Sequence, residues 1–436
     1  MADIIQPRVL KGFRDFLPQA EMRRASLMEA LTTSFRNAGF VPIDTPALEY
    51  AEILLGKAGG ETEKQVYRFK DNGGRDVALR FDLTVPLARF MAEHSGELSM
   101  PFRRYHMAKV WRGENTQRGR YREFMQCDFD IVGVDSALAD FDIIATIAEA
   151  MRVLGVPDAS IHVNHRGVFN RFLSKAGIAD SSVEALRIVD KLSKIGKDDT
   201  KRQLSELTGE TAADEILEFI RSGDGFEQTL ERMTRIAGGS NPDSDRLVAI
   251  FAMAQACGLG ESLVLTPSIT RGLDYYTGVV FETFLPELPE IGSVCSGGRY
   301  NDLASLYTKL RLPGVGAAIG MDRLLAALEE IGNSSQPSGF TKVLVVNIDD
   351  SLAVDYQSTA NAIRSSGIAC EVFPEPRKPS QQYTYAEQKG AFFALIRGAD
   401  EKARGVWTLR NLHDRTNAEY ADMPAVIAAV KAALLP

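Results

Sequence analysis

Hydrophobic and polar positions alternate strictly between residues 125 and 131. The apolar positions share one face and the polar positions the other: Met125, Cys127, Phe129 and Ile131 against Gln126, Asp128 and Asp130. This period of two predicts a β-strand with one buried face. Residues 105–112 predict a second strand, with Val110 and Arg112 on a common face. The charged segment between them, residues 113–123, is longer than the turn of about two to five residues in an ordinary hairpin.

The loop between these two strands carries Arg118, Arg120 and Arg122. Guanidinium groups bind phosphate through paired hydrogen bonds, so three of them on one loop favour a polyanionic ligand. A long polar loop held by two strands is usually functional or disordered. A solvated charged loop without a ligand is the alternative interpretation.

Periodicity predicts the remaining elements of the first three quarters of the chain. A helix over residues 20–38 places Met28, Leu31 and Phe35 on one apolar face, and Gly39 ends it. The elements that follow are an extended stretch ending at Pro46, a helix over 140–154 and a strand over 160–167. The segment from about 168 to 258 is helical, charged and punctuated by glycines, and it predicts a helical insertion without a catalytic constellation.

The end of the chain has a different organisation. Residues 332–340 are polar and contain a proline, which predicts a linker. Strands alternate with helices over residues 341–436, so we expect a separate α/β domain there. Residues 1–331 then form the first domain, with the helical insertion inside it. A generic ligand-binding module remains the alternative for the second domain, because a fold alone does not establish a function.

Composition narrows the classes of protein that the chain can belong to. A length of 436 residues predicts two or three domains, and a net charge of −8 argues against indiscriminate nucleic-acid binding. An RNA partner must therefore meet a local basic surface. The four cysteines are scattered, and His162 and His165 have no clustered third ligand, so we expect no protein-bound metal site. Without a signal-like start or a membrane-length apolar run, a cytoplasmic protein is expected.

Asp82 and Thr84 lie on one face of an extended segment that is predicted over residues 77–85. A buried carboxylate is costly without a partner, so Asp82 favours a cationic ligand group. The alternative is that Asp82 caps or turns the chain before Pro86.

Arg271, Tyr275 and Tyr276 stand just before a strand whose alternation includes Val279 and Phe281. We expect them at the rim of a pocket. A salt bridge between Arg271 and Asp274, with both tyrosines in the core, is the alternative.

Two glycine-rich segments complete the candidate chemistry. The paired glycines of residues 296–302 would let the backbone approach a ligand closely. Residues 314–328 predict a strand of small residues that runs into a helix, with Arg323 in its first turn. A cation there opposes the helix dipole unless an anion binds nearby. Pairing of Arg323 with Asp322 is the alternative.

These segments together resemble a known family. Arg-Gly-Glu, the long loop and the stretch GRYREF are similar to motif 2 of class II aminoacyl-tRNA synthetases, and residues 314–328 resemble motif 3. The helix over 20–38 with its extended stretch resembles motif 1. RGLDYYTGVVFE and SGGRYND resemble the signatures of the histidyl-tRNA synthetase family. The resemblance covers nearly the whole chain and implies an α+β fold, with an antiparallel catalytic sheet and a C-terminal anticodon-binding domain.

The resemblance also implies a reaction and its residues. Histidine and ATP would form histidyl-adenylate and pyrophosphate, and histidine would then pass to the 3′ end of histidine tRNA. Arg112 and Arg271 would be the catalytic residues. Histidine would contact Asp82, Thr84, Arg112, Gln126, Asp130, Arg271, Tyr275 and Tyr276. ATP, expected with Mg²⁺, would contact Arg112, Glu114, Arg120, Phe124 and Arg323.

The resemblance further implies a homodimer, since motif 1 forms much of the dimer interface in class II enzymes. Two other functions stay open. One is the non-catalytic, synthetase-like regulatory subunit of histidine biosynthesis, which lacks the anticodon domain and the catalytic arginine. Arg271 and residues 341–436 count against it. The other is a class II synthetase for another amino acid, which the stretch RGLDYY disfavours.

The motif 2 loop departs from the family pattern R-x-E-R-P-Q, because Asn115 and Thr116 replace its arginine and proline. Loss of an arginine removes a phosphate contact, and loss of a proline relaxes the loop. In the family this loop meets the acceptor end, where histidine tRNA usually carries an extra 5′ nucleotide.

We therefore predict that transfer of histidine depends less on that nucleotide than in an Asn115→Arg/Thr116→Pro variant. Transfer rates on tRNA transcripts with and without the nucleotide provide the test. A large preference in the wild type that the variant leaves unaltered would contradict it.

Overall fold

The computed structural model describes residues 4–56, 61–223, 225–269, 275–332 and 339–434. These residues divide into two compact units, and each is described by itself. The larger unit contains residues 4–16 and 24–332, and the smaller contains residues 17–23 and 339–434. Within the described ranges, no helix is both long enough and apolar enough to cross a membrane.

The elements up to residue 332 follow one another as a mixture of short strands and longer helices. The helices are α1 (Pro18–Asn37), α2 (Ala51–Leu55), α3 (Glu61–Gln65), α4 (Thr84–His94), α5 (Ala137–Val153), α6 (Arg166–Lys175), α7 (Ser182–Asp190), α8 (Leu192–Thr208), α9 (Glu210–Phe219), α10 (Phe226–Ile236), α11 (Pro242–Ala256) and α12 (Met321–Glu330). The strands are β1 (Val41–Pro42), β2 (Leu48–Tyr50), β3 (Arg68–Lys70), β4 (Asp76–Leu79), β5 (Phe102–Trp111), β6 (Glu123–Val132), β7 (Ser160–His165), β8 (Leu263–Leu265), β9 (Val279–Phe284), β10 (Cys295–Tyr300) and β11 (Gly314–Gly320).

An eight-stranded sheet organises this unit, in the order β1-β5-β6-β11-β10-β9-β7-β8. Its six central strands pair antiparallel, and the edge strands β1 and β8 pair parallel. A separate three-stranded antiparallel sheet has the order β2-β4-β3. The expected antiparallel catalytic sheet is therefore confirmed, and β5 and β6 are its longest paired strands.

The two faces of β6 lie in different environments. Its apolar residues enter the core beside Leu31 and Phe35 of α1, both of which are fully buried. Phe35 and Phe129 pack with their ring centroids 4.8 Å apart. The predicted apolar face of the first helix is thus confirmed, and Gly39, at φ +79°, takes the left-handed conformation that follows its end. The polar face of β6 carries Gln126, which lines the cavity described below.

Helices α6 to α11 lie in sequence between β7 and β8, so the expected helical insertion is present. Its apolar residues join the core of the larger unit. Phe172 and Phe219 stack with centroids 4.8 Å apart and planes 8° apart, and Phe169 meets both rings edge-on.

The prediction of one extended segment over residues 77–85 is wrong in its second half. Strand β4 ends at Leu79, and α4 begins at Thr84. Asp82 causes the change, because its Oδ1 accepts a hydrogen bond from the backbone N–H of Val85 at 3.1 Å. Pro86 then lies in the first helical turn, where its missing N–H costs nothing.

The paired glycines of residues 296–302 lie inside β10 rather than in a loop. A Cβ on Gly297 would lie 2.1 Å from the carbonyl oxygen of Gly316, and one on Gly298 would lie 2.6 Å from that of Val279. These glycines therefore allow neighbouring strands to approach closely. The sequence analysis expected glycine here because the backbone must approach a ligand. Packing between neighbouring strands is a second reason why these two positions need glycine.

The smaller unit is an α/β domain, as expected. Its helices are α13 (Ala353–Ser365), α14 (Pro379–Gln388), α15 (Ala399–Arg404) and α16 (Met423–Leu434), and its strands are β12 (Val343–Val345), β13 (Cys370–Val372), β14 (Phe393–Ile396), β15 (Trp407–Asn411) and β16 (Asn417–Tyr420). The sheet has the order β13-β12-β14-β15-β16, parallel across its first three strands and antiparallel across its last three. The sequence analysis missed α15 and β16, which are short and largely exposed.

A buried ion-pair network ties β10 to two helices. Arg299 on β10 approaches Asp140 Oδ1 on α5 with Nη2 at 2.7 Å and Nε at 2.8 Å. Arg246 on α11 approaches Oδ2 of the same carboxylate at 2.5 Å. Asp140 is fully buried and Arg299 is 1% exposed.

We predict that Asp140→Asn lowers the free energy of unfolding by about 3–5 kcal/mol, because it leaves buried guanidinium charge without its partner. Asp142→Asn is the matched control on the same helix, since Asp142 pairs with Arg103 at the surface. The Asp142→Asn variant should lower the free energy of unfolding by less than about 1 kcal/mol. Thermal and urea unfolding of both variants provide the measurement, and equal stability of the two would refute the prediction.

Candidate active site

A cavity of about 450 Å³ opens on the polar face of the eight-stranded sheet. Strands β10 and β11, the start of α12, the motif 2 strands and the turn before α4 contribute its walls. Most of the site residues expected from sequence line it: Asp82, Thr84, Arg112, Glu114, Arg120, Phe124, Gln126, Tyr275, Tyr276 and Arg323. The fold thus brings together side chains that are separated by more than 200 positions in the chain.

Asp82 marks the acidic end of the cavity. The residue is 2% exposed; its Oδ1 caps α4, and its Oδ2 accepts a hydrogen bond from the Tyr275 hydroxyl at 3.3 Å. Burial raises the pKa of Asp82, while the Val85 N–H, Arg112 and Tyr275 act in the opposite direction. The capping role and the ligand-facing role expected of Asp82 are therefore compatible, since each uses a different oxygen.

Two tyrosines close this end. Tyr275 and Tyr276 meet edge-on with ring centroids 4.9 Å apart, and Tyr275 also contacts Tyr300 at 6.2 Å. The backbone carbonyl of Tyr276 accepts a hydrogen bond from Arg166 at 2.7 Å. Burial raises the pKa of both tyrosines, so their hydroxyls remain neutral donors near pH 7.

Arg112, Glu114 and Arg120 form the cationic side. Arg112 Nε donates to the carbonyl of Phe81 at 2.8 Å, and its guanidinium lies 5.2 Å from the centroid of the Phe124 ring. Glu114 stands between the arginines, 3.9 Å from Arg112 Nη1 and 3.7 Å from Arg120 Nη1. The head group of Arg112 is thus held in place before any ligand arrives.

Arg323 occupies the first turn of α12, as expected, and its Nη1 donates to the carbonyl of Ser293 at 2.5 Å. The alternative pairing with Asp322 does not occur. Asp322 Oδ2 accepts the N–H of Met125 at 2.8 Å, and Oδ1 lies 2.5 Å from Arg14 Nη2. Asp322 therefore fastens α12 to β6 and leaves its neighbour Arg323 on the cavity wall.

Arg14 was missed by the sequence analysis. Besides Asp322, it donates to the Tyr121 hydroxyl at 3.1 Å, and its guanidinium lies about 4 Å from the rings of Phe16 and Tyr121. Gly12 adds a second attachment, since its carbonyl accepts the N–H of Arg122 at 2.8 Å. The N-terminal segment therefore holds the far side of the arginine-rich loop. The only hint of this role in the sequence is that Arg14 stands between two aromatic residues in the stretch KGFRDF.

Asp130 does not line the cavity. It is 2% exposed and lies farther along the polar face of β6, where Arg104 Nη2 stands 2.6 Å from Oδ2 and the Tyr300 hydroxyl donates to Oδ1. A Cβ on Gly316 would lie 2.0 Å from Oδ1, so the carboxylate leans over a position without a side chain. Burial raises its pKa against the effect of Arg104. Its expected contact with an imidazole stays a prediction, as does every role of Arg271, which lies outside the described residues.

A largely antiparallel sheet that carries these arginines around one pocket defines the class II aminoacyl-tRNA synthetase fold. A sequence profile for histidyl-tRNA synthetase matches residues 12–324, and one for the anticodon binding domain matches residues 342–432. The chain belongs to the histidyl-tRNA synthetase family.

Individual relatives agree with the family assignment. A protein of Treponema denticola named Histidine--tRNA ligase is 56% identical over 407 residues, which cover 92% of this chain and 91% of the relative. A protein of the same name from Rhodopirellula baltica is 47% identical over 440 residues, covering 99% and 100%. The crystal structure of histidyl-tRNA synthetase from Nostoc sp. PCC 7120 has a TM-score of 0.87 and 30% identity, and covers 99% of this chain and 100% of that one.

We predict that Arg14→Met raises the KM for ATP and lowers thermal stability. The variant removes the charge that faces the buried Asp322 carboxylate and the anchor of the arginine-rich loop. Because Arg14 is 30% exposed, we expect a modest loss of about 1–3 kcal/mol.

Arg152→Met, which breaks an exposed pair with Glu149, is the control and should change neither quantity. Melting curves and ATP-dependent pyrophosphate exchange provide the two measurements. A lower melting temperature with an unchanged KM would restrict Arg14 to a structural role.

Proposed function

We propose that this protein is a histidine–tRNA ligase. In the first step the carboxylate of L-histidine attacks the α-phosphate of ATP, so that a carboxylate–phosphorus bond forms and pyrophosphate leaves. In the second step a terminal ribose hydroxyl of histidine tRNA attacks the carbonyl carbon, and AMP leaves. The observation that carries the proposal is one cavity with an acidic end and a cationic side, on the sheet of a family member.

The acidic end suits the amino acid. Asp82 would receive the α-ammonium group, with Thr84 and Gln126 as further polar partners, and the cation would offset the cost of the buried carboxylate. Tyr275 and Tyr276 would cover the ligand. Asp130 is the acceptor expected for the imidazole from the family resemblance.

The cationic side suits ATP. Phe124 offers a ring on which adenine can stack, and Glu114 lies beside it as an acceptor. Arg112 would contact the α-phosphate and the histidine carboxylate, with Arg120 and Arg323 on the remaining phosphates. Phosphoryl transfer depends on such positioning and charge stabilisation more than on covalent catalysis. Arg271 would neutralise the charge that grows on the α-phosphate.

We propose that ATP enters with Mg²⁺. In the described part of the chain, no three acidic, histidine or cysteine side chains cluster as a metal site. This fits the usual habit of Mg²⁺, which combines one or two carboxylates with substrate phosphates. Glu114 and Glu282, which both line the cavity, are the carboxylates that would contact the ion. The ion would supply charge neutralisation for the phosphates.

Two further features concern partners. The smaller unit matches an anticodon-binding family and would bind the tRNA together with the arginine-rich loop. Val41, Leu48, Tyr50 and Phe69 expose between 39% and 50% of their surface on β1, β2 and β3. Apolar side chains exposed on the edge strands of two sheets support a homodimer that buries them. The cytoplasm is the expected compartment, since that is where tRNA is charged.

ATP–pyrophosphate exchange with each amino acid in turn tests the proposed function. We expect exchange with histidine and none with proline or threonine, followed by aminoacylation of a histidine tRNA transcript. Exchange with another amino acid, or none at all with histidine, would refute the proposal.

We predict that Arg271→Ala slows adenylate formation about 10²–10³-fold while leaving the melting temperature unchanged, because the lost cation acts on charge that develops in the transition state. Pre-steady-state adenylation alongside thermal melting provides the measurement. Unchanged chemistry, or a collapse of stability, would assign Arg271 a structural role.

A further inference from the structure

Asp128 lies on the cavity face of the sheet, although no role has been assigned to it. It shares the polar face of β6 with Gln126, which lines the cavity. Across the sheet Asp128 pairs with Ala318, Ala318 with Ser296, and Ser296 with Glu282. Directly opposed residues of neighbouring strands point to the same face, and all three of these partners line the cavity. Asp128 therefore lies in the row of side chains that includes the cavity floor, and His106 of β5 continues this row on the other side of Asp128.

One oxygen of the buried Asp128 carboxyl group lacks a hydrogen-bond partner among the described residues. The residue is 1% exposed, and this oxygen is Oδ1. Buried acceptors in native proteins are nearly always paired, and an exception calls for a specific explanation such as a bound ligand. Both oxygens of Asp82 accept a hydrogen bond. Asp130 Oδ1 accepts from Tyr300, and Asp130 Oδ2, although it also lacks a hydrogen bond, lies 2.6 Å from Arg104 Nη2.

The surroundings make this end of the floor acidic. Burial raises the pKa of Asp128 well above its ordinary value, and the neighbouring charges of Asp130 and Asp82 add to the increase. Arg104 and Arg112 oppose it. Yet Arg104 forms its ion pair with Asp130 through Nη2, its Nε and Nη1 form no hydrogen bond to Asp128, and Arg112 donates to Phe81. The described part of the chain provides no hydrogen-bond donor to Asp128 Oδ1. An N–H group of a ligand would provide one.

We propose that Asp128 is a binding residue for the side chain of the amino-acid substrate and accepts an N–H of the histidine imidazole. The proposal rests on the proposed function. Asp82, at the acidic end of the cavity, would hold the backbone ammonium group, and the ring would extend along the polar face of β6. Asp128 thereby adds an unpaired carboxyl oxygen, Oδ1, to the one acceptor expected from the family, Asp130, which already contacts Arg104 and Tyr300. A pocket built to pair a polar group rejects analogues that lack it.

The test compares L-histidine with L-β-(4-thiazolyl)alanine, whose ring has a sulfur atom in place of the Nε2–H. Affinities of the full-length protein for both are measured by calorimetry, and the KM for ATP by pyrophosphate exchange. For Asp128→Asn we expect the affinity for histidine to fall about tenfold or more, since a charge-assisted bond is lost. The affinity for the thiazolyl analogue and the KM for ATP should stay within about twofold of the wild type. Asp128→Ala should show the same selectivity pattern.

Other outcomes would overturn the proposal. Equal losses for both amino acids, or a marked fall in melting temperature, would mean that Asp128 serves Arg104 or the fold. If the parallel variant Asp130→Asn abolishes discrimination between the two ligands while Asp128→Asn retains it, the imidazole N–H belongs to Asp130 alone. A wild-type protein that activates no histidine refutes the proposed function and this proposal together, whereas wild-type activity with unaltered selectivity in both Asp128 variants refutes this proposal only.

Discussion

The alternation of β6 is the constraint on which the catalytic unit depends. A strand has two faces, and a shift of one residue in register would exchange them. Here one face supplies Cys127 and Phe129 to the core, and the other carries Asp128 together with Gln126, which lines the cavity. Pairing with β5 and β11 over most of its length fixes this register. The hydrophobic effect that stabilises the unit therefore also orients the polar side chains.

Charge is distributed unevenly around the cavity, and this division follows from local structure. The acidic end lies where β4 gives way to α4, because a helix start needs a capping acceptor and Asp82 provides it. The cationic side comes from a strand end, a long loop and the start of a helix. Each arginine there already holds a backbone or carboxylate partner, so little ordering should remain when an anion binds.

Much of this arrangement could be predicted from sequence, and the exceptions share a physical cause. Period-two and helical patterns report which side of an element is apolar, and so β6 and α1 were predicted correctly. The same patterns do not report which distant residue completes a polar contact. Asp82 was placed on an extended segment because its hydrogen bond to Val85 leaves no trace in hydropathy. Arg14 and Arg104 were overlooked because their partners, Asp322 and Asp130, lie far away in the chain.

The close contact between Gly316 and Asp130 restricts how this unit can change over evolutionary time. A single methyl group at position 316 would collide with the carboxylate, and the collision would pass on to Arg104 and Tyr300. Gly297 is under a similar steric restriction from the backbone of β11. Few substitutions are therefore tolerated in this part of the sheet without a change in its packing. Sequence drift that alters the shape of the cavity has more freedom along its walls and loops than underneath.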